Sequence, residues 1–283
     1  MKTLPVFFSP QMVADSGSFS PSAGKPLQVV ASWKALGLPL ELHAPEPVTV
    51  AELSLAHDAK FVRAVLERRA DNGFGNRSAG VAASLPYTSG AMRSAARHAW
   101  KQGGVAIAPC SGFHHAAWAR VSGFCTFNGL MVTAAALHAE GAGRIGILDC
   151  DHHQGDGTED IIEKLRASKW VRHFTAGGHY HSPSDARAFF ERLPGLLRTF
   201  ADCDVVLYQA GADPHVNDPL GGWLTTAQLL ERDRLVFQAL AAQKVPVAWN
   251  LAGGYQREPD GSIPKVLEIH DNTMRACAEA FLD

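Results

Sequence analysis

From residue 87 onward the chain repeats one pattern: a helical stretch, a short apolar run, then a burst of chemically active side chains. Helical stretches at 89–101, 127–140, 158–165, 185–200, 225–242 and 263–281 alternate with apolar runs at 104–108, 144–148, 170–175, 204–208 and 245–251. Strands alternating with helices require right-handed crossovers and a parallel sheet. The run Ile145–Leu148 lacks charge on both faces, as a strand covered on both sides must. Upstream, the pattern predicts a strand at 6–8, helices at 26–36 and 50–69, a Pro-rich break at 38–47 and a Gly/Asn/Ser-rich surface loop at 71–86. No repeat, low-complexity tract or linker interrupts this, so the expected architecture is one α/β domain over 1–283, a central parallel sheet flanked by helices.

Composition narrows the class. A net charge of −2 and no Lys/Arg block give no field that would gather nucleic acid or an anionic membrane. No apolar run approaches the roughly 18 residues of a membrane span, and the N-terminus is too weakly basic and apolar for a signal peptide. Cys110, Cys125, Cys150, Cys203 and Cys277 form no Cys-x-x-Cys pair and sit in or beside apolar stretches. They read as reduced, buried thiols, and the chain as cytoplasmic.

The chemistry hangs on the strand ends. After 104–108 comes Ser111-Gly-Phe-His114-His115. After 144–148 comes Asp149-Cys-Asp151-His-His153-Gln-Gly-Asp156, after 204–208 Gly211-Ala-Asp213, and after 245–251 Gly253-Gly-Tyr255. The C-terminal edge of an open parallel sheet is where ligands bind, so segments ~100 residues apart can converge there. Three carboxylates and two imidazoles between 149 and 156 are costly to bury without a counter-ion. An EF-hand loop is excluded, because His153 and Gln154 stand where an oxygen donor and a glycine are needed. Asp151, His153 and Asp213 are instead oxygen and nitrogen donors suited to a catalytic zinc with one open position. His114 and His115 are candidates for general base and acid, with Asp149 and Asp156 as orienting carboxylates. Tyr255, behind a Gly-Gly pair read as flexible, can donate to an oxyanion. The reaction class that fits is metal-assisted hydrolysis of an amide or ester. Taken singly, a His-His pair or an Asp after a strand is more often structural, and His57, His98, His138 and His173 are read that way; His179 and His181 are assigned to a loop or pocket rim.

Together these segments resemble the zinc-dependent histone deacetylase family, with its bacterial acetylpolyamine and acetoin-utilisation relatives. The resemblance rests on His57-Asp-x-x-Phe-Val, Ser111-Gly-Phe-His-His-Ala, Gly123-Phe-Cys-Thr-Phe-Asn, Asp149-x-Asp-x-His-x-Gly-Asp-Gly-Thr, Gly211-Ala-Asp-x-x-x-x-Asp-Pro-Leu-Gly and Gly253-Gly-Tyr. It implies the arginase-like fold, with Asp151, His153 and Asp213 on Zn²⁺. It further implies His115 as main acid and base oriented by Asp156, His114 as its partner held by Asp149, and Tyr255 on the substrate carbonyl. Gly123 and Phe124 would line a narrow tunnel, with Gly253 and Leu220 also at the substrate; His152 would have no part. The family's structural K⁺ would lie near Asp149, Asp151 and His153, although Thr175-Ala-Gly-Gly-His-Tyr-His lacks the usual Ser-x-His pattern. The expected substrate is an acylated lysine or another acylated amine, and Leu220, where polyamine-selective relatives can carry an acid, leans towards acyl-lysine or a neutral substrate. Three rival readings are an acetylpolyamine hydrolase, a non-catalytic acyl-ligand binder, and a two-manganese ureohydrolase disfavoured by Pro214-His215 after Asp213. A homo-oligomer is left open.

Overall fold

A computed structural model describes residues 2–282; Met1 and Asp283, the two ends of the expected domain, lie outside the described residues. The strands are β1 (Leu4–Phe7), β2 (Leu40–His43), β3 (Val105–Ala108), β4 (Ile145–Asp149), β5 (Val171–Thr175), β6 (Val205–Gly211) and β7 (Val247–Ala252). They form one seven-stranded sheet in the order β2-β1-β3-β7-β6-β4-β5, every pairing parallel. The four strands that precede the chemical segments, β3, β7, β6 and β4, are consecutive neighbours, so their C-terminal ends share one edge.

The helices are α1 (Lys25–Ala35), α2 (Val50–Leu53), α3 (Ala59–Leu66), α4 (Ala79–Gln102), α5 (Gly129–Ala139), α6 (Asp156–Leu165), α7 (Ala186–Arg198), α8 (Thr226–Ala242) and α9 (Pro264–Phe281). One face of the sheet packs Val206, Tyr208 and Trp249 against Trp33, Leu193, Phe237 and Met274 from α1, α7, α8 and α9. The other packs Ile145, Ile147 and Leu207 against Met92, Leu130, Leu137 and Ile161 from α4, α5 and α6. Strands covered on both faces must be apolar throughout, which is why these runs lack alternation.

The structure differs from the sequence pattern in three places. The helix expected over 50–69 is two helices, because Asp58 leaves helical geometry and caps α3 through Oδ1 on Lys60 N and Phe61 N. The loop expected to run to 86 ends at Ser78, which caps α4 by accepting from Val81 N. Pro86 lies inside that helix, and its carbonyl accepts from Val48 N (3.0 Å). The Pro-rich break contains β2, an edge strand, where prolines on either side disturb no central ladder.

Asn128 fastens the loops at this edge. Its side chain accepts from Met131 N as the α5 cap and donates to Ala116 O and Thr158 Oγ1, while its N–H donates to His57 Nε2 (2.8 Å). His57 Nδ1 in turn donates to Ala117 O (3.0 Å), so this buried imidazole is structural. Asn128→Ala removes a cap and strands buried partners, and should cost about 2 kcal/mol or more of stability, measured by urea unfolding; a loss under about 0.5 kcal/mol would contradict the network's role.

Candidate active site

Asp149 ends β4 in register with Gln209 of β6. Fully buried, it is held from every side: Oδ1 accepts from Asp151 N (3.1 Å) and Gln209 Nε2 (3.1 Å), and Oδ2 from His114 Nδ1 (2.8 Å). Two residues on, Asp151 turns into the site. Its Oδ1 lies 3.6 Å from His114 Nε2 and accepts from His153 N (2.9 Å). Asp213, two residues beyond β6, faces it, and Asp213 Oδ1 accepts from His152 N (3.2 Å). His153 Nδ1 lies between the two carboxylates, 3.2 Å from Asp151 Oδ1 and 3.1 Å from Asp213 Oδ2. Among the described residues these three make the one cluster of metal-ligating side chains, with a ligand atom from each within 4.8 Å of the others.

The electrostatics mark what the cluster needs. Burial drives the Asp213 carboxyl up to about 7, and the Asp151 charge adds to it. Asp151 itself stays well below the usual carboxylate range against burial, held there by His114 and His153. Hydrogen bonds donated to both carboxylates push His153 up to about 11. Two buried acids thus compete for one proton, a conflict that a divalent cation between them removes. Two carboxylates and one imidazole, the last giving up its proton as the ion enters, fit such a cation.

The two histidines are paired as dyads. His115 Nδ1 donates to Asp156 Oδ1 (2.6 Å) at the first residue of α6, where the helix N-terminus favours a carboxylate. The imidazole rings of His114 and His115 are 4.1 Å apart. Burial and the neighbouring His114 charge lower His115, with Asp156 opposing. Burial also lowers His114, but Asp151 and Asp149 outweigh it and bring it to about 9. The pair therefore splits into a cationic His114 and a neutral His115 near pH 7.

Gly123 and Phe124 are the central residues of a two-residue turn closed by Cys125 N on Ser122 O (2.7 Å), both with left-handed φ (51° and 62°). A bulky residue there is unusual and holds the ring in one direction. Phe124 packs on Tyr255 (centroids 5.6 Å), on Phe19 (5.2 Å) and near Phe74 (6.0 Å). Phe19, 55% exposed, belongs to the Ser-rich N-terminal loop, and its carbonyl accepts from Arg257 Nη1 (2.9 Å). Leu220 is exposed on the loop whose Asp218 accepts from Tyr255 N (2.8 Å). Burial keeps the Tyr255 hydroxyl protonated, raising it well above 10.

The Gly253-Gly254 pair is fixed, contrary to the flexible reading. Gly253 has φ 50°, and any Cβ there would collide with the Asp213 carboxylate. Its carbonyl accepts from the Lys25 ammonium, which is fully buried. Sequence reasoning missed Lys25 and Phe19 because nothing local marks them; Asp218 stood in a recognised motif without a role. His152 Nδ1 has no partner among the described residues, and His179 stacks on Phe174 (5.5 Å).

The family described as histone deacetylase domain matches residues 23–182 and 179–267. An uncharacterised protein of Picosynechococcus sp. is 31% identical over 268 residues, 86% of this chain and 87% of that protein. The HD domain of HDA15 superposes with a TM-score of 0.76 at 20% identity, over 99% of this chain and 91% of that one. Acetylpolyamine aminohydrolase from Burkholderia pseudomallei gives 0.72 at 18% identity, over 97% and 98%. Both superpositions carry the arginase-like fold. Among the described residues no helix is long and apolar enough to cross a membrane.

Burial lowers Lys25 to about 8 from 10.5, opposed by Asp213, Asp151 and Asp218. A lysine whose folded pKa is depressed costs stability below that pKa, and the cost fades as pH rises from about 8 towards 10.5. The stability of the wild type relative to Lys25→Met should therefore rise by about 3 kcal/mol between roughly pH 7 and pH 10.5, read by denaturant titration at each pH. A pH-independent difference would refute the assignment.

Proposed function

Because this chain belongs to the histone deacetylase family, whose members are deacetylase-type amide hydrolases, we propose that it removes acetyl or another short acyl group from lysine-like amines with the help of zinc. Residues 1–283 act as one catalytic unit in this reading. The observation that carries it is the convergence of Asp151, His153 and Asp213 beside two His–Asp pairs and Tyr255.

Zinc held by Asp151, His153 and Asp213 would supply Lewis acidity to the amide carbonyl and to the attacking water. His115 Nδ1 is engaged by Asp156, so Nε2 is the atom that takes the water proton and returns it to the leaving amine. Asp156 holds that tautomer. His114 is anchored on Asp149 with its ring 4.1 Å from that of His115, placed to tune that base. Tyr255, a protonated donor, hydrogen-bonds the substrate oxygen as it becomes anionic. Phe124 and Phe19 offer apolar faces to an alkyl chain, with Gly123 and Gly253 giving close approach and Leu220 at the rim.

Hydrolysis of an acetylated polyamine is the second reading, favoured by the likeness to the Burkholderia aminohydrolase. Leu220 in place of an acid, and Arg257 bonded to the Phe19 carbonyl, favour a neutral chain over a polycation. The structural K⁺ near Asp149 belongs to the first proposal, and replacing KCl by choline chloride in the assay tests it. Acyl-lysine peptides, acetylpolyamines and small acyl amides assayed in parallel separate the substrate readings.

Tyr255→Phe should lower kcat by roughly tens- to hundreds-fold with bound zinc unchanged, in line with loss of an oxyanion donor. Undiminished turnover would remove Tyr255 from the chemistry. Chelation should abolish turnover and zinc should restore it; activity that survives dialysis against a strong chelator, with no metal found by elemental analysis, would overturn the metal reading.

A further inference from the structure

Behind the donor cluster, on the side away from the mouth, lies a second buried polar group that the proposed chemistry does not use. Arg232 and Asp233 sit on the inner face of α8, each 1% exposed or less. Arg232 Nε donates to Asp233 Oδ1 (2.8 Å). Asp233 is held in turn by the Tyr208 hydroxyl of β6 and by Thr273 Oγ1 of α9 (2.6 Å). The guanidinium is thus aimed by three elements, and its Nη1 donates to two backbone carbonyls, Gly211 O (2.8 Å) and Cys150 O (3.2 Å).

Those two carbonyls are not arbitrary. Cys150 immediately precedes Asp151, and Gly211 stands two residues before Asp213. The regular β4–β6 pairing stops at Asp149 and Gln209, with Cys150 N on Gln209 O (3.0 Å) just past it. Beyond this point the two chains part, each to present its carboxylate. They still lie close at Gly211: a Cβ there would be 2.6 Å from Asp151 Cα and 2.6 Å from Cys150 O. One nitrogen bridging both carbonyls holds the Cys150–Asp151 peptide against the Gly211–Ala212 peptide, one residue short of Asp213. A buried ion pair can often be replaced by apolar side chains with little loss of stability, so stability alone does not account for this arrangement.

We propose that Arg232 is a positioning residue that ties the β4 and β6 ends together, sets the separation of Asp151 and Asp213, and thereby sets the affinity of the site for its divalent metal. The proposal rests on the reading of Asp151, His153 and Asp213 as metal ligands, and not on the identity of the substrate.

The test is metal affinity of the full chain, measured by competition of Zn²⁺ with a chromophoric chelator and by the visible absorption of the Co²⁺-loaded protein. Arg232→Met keeps length and volume without donors. It should weaken Zn²⁺ binding by roughly 10- to 100-fold, as loss of an outer partner does at other metal sites, and alter the Co²⁺ spectrum, at temperatures where circular dichroism shows a folded protein. Arg232→Lys restores a charged donor in the same place and should recover part of that loss. If Arg232→Met does not fold, Arg232→Lys decides alone: weakened binding with a changed Co²⁺ spectrum supports the proposal. Zn²⁺ affinity and Co²⁺ spectrum both unchanged in the folded variant, even with a lower Tm, would overturn it and leave Arg232 purely structural. Asp151→Ala and Asp213→Ala are measured alongside. If they bind Zn²⁺ as the wild type does, the ligand reading has failed; if they lose it while Arg232→Met does not, only the positioning role has.

Discussion

Two carboxylates, Asp151 and Asp213, are brought together in a dry interior with one imidazole between them, and most of the surrounding structure answers that conflict. Neither can leave, because each follows a strand of the sheet directly. Positive or donating groups close in from all sides: His114 on Asp151, the His152 N–H on Asp213, Lys25 behind Gly253. They moderate the cost without removing it, since burial and then the Asp151 charge still drive Asp213 to about 7. A cation held between the two acids would relieve that cost, and its binding would then be coupled to stability at this edge.

Around that centre the polar groups form layers of decreasing constraint. Asp149 accepts from three donors and holds His114 and the turn. Asp156, at the start of α6, is half exposed and bonded to His115, leaving that imidazole the more accessible of the two. At the mouth the walls are aromatic, and Phe19 reaches water. Burial falls from the sheet outwards, from the fully buried Asp149 to the exposed Phe19.

Much of this was legible in the residues. Apolar runs in alternation with helices imply the parallel sheet, and the burst at 149–156 implies a charge problem at its edge. Neighbouring polar groups in the chain could be sorted because their types and spacing restrict what they can bind. What stayed hidden depended on tertiary packing. Ser78 and the alanines after it were masked by Gly and Ser around them, so the start of α4 was read as loop. Gly253-Gly254 looked mobile because a free dipeptide is; Lys25 and the Asp213 carboxylate hold it. Lys25 and Arg232 carry no local signal, since one basic side chain near a helix start and one within an amphipathic helix are ordinary, and only burial makes them exceptional.

The Lys25–Gly253 bond spans 228 positions of sequence. Between its ends lie the first three of the four chemical segments, and the fourth starts at Gly253 itself, so a fragment lacking either end of the bond lacks this closure of the site. Contacts this distant form late, after the entropy of closing long loops has been met. During synthesis, an emerging chain would hold Asp151 and His153 without Asp213, and a pair of donors holds an ion far less firmly than three. A chain ending before residue 253 would lack both this bond and Tyr255.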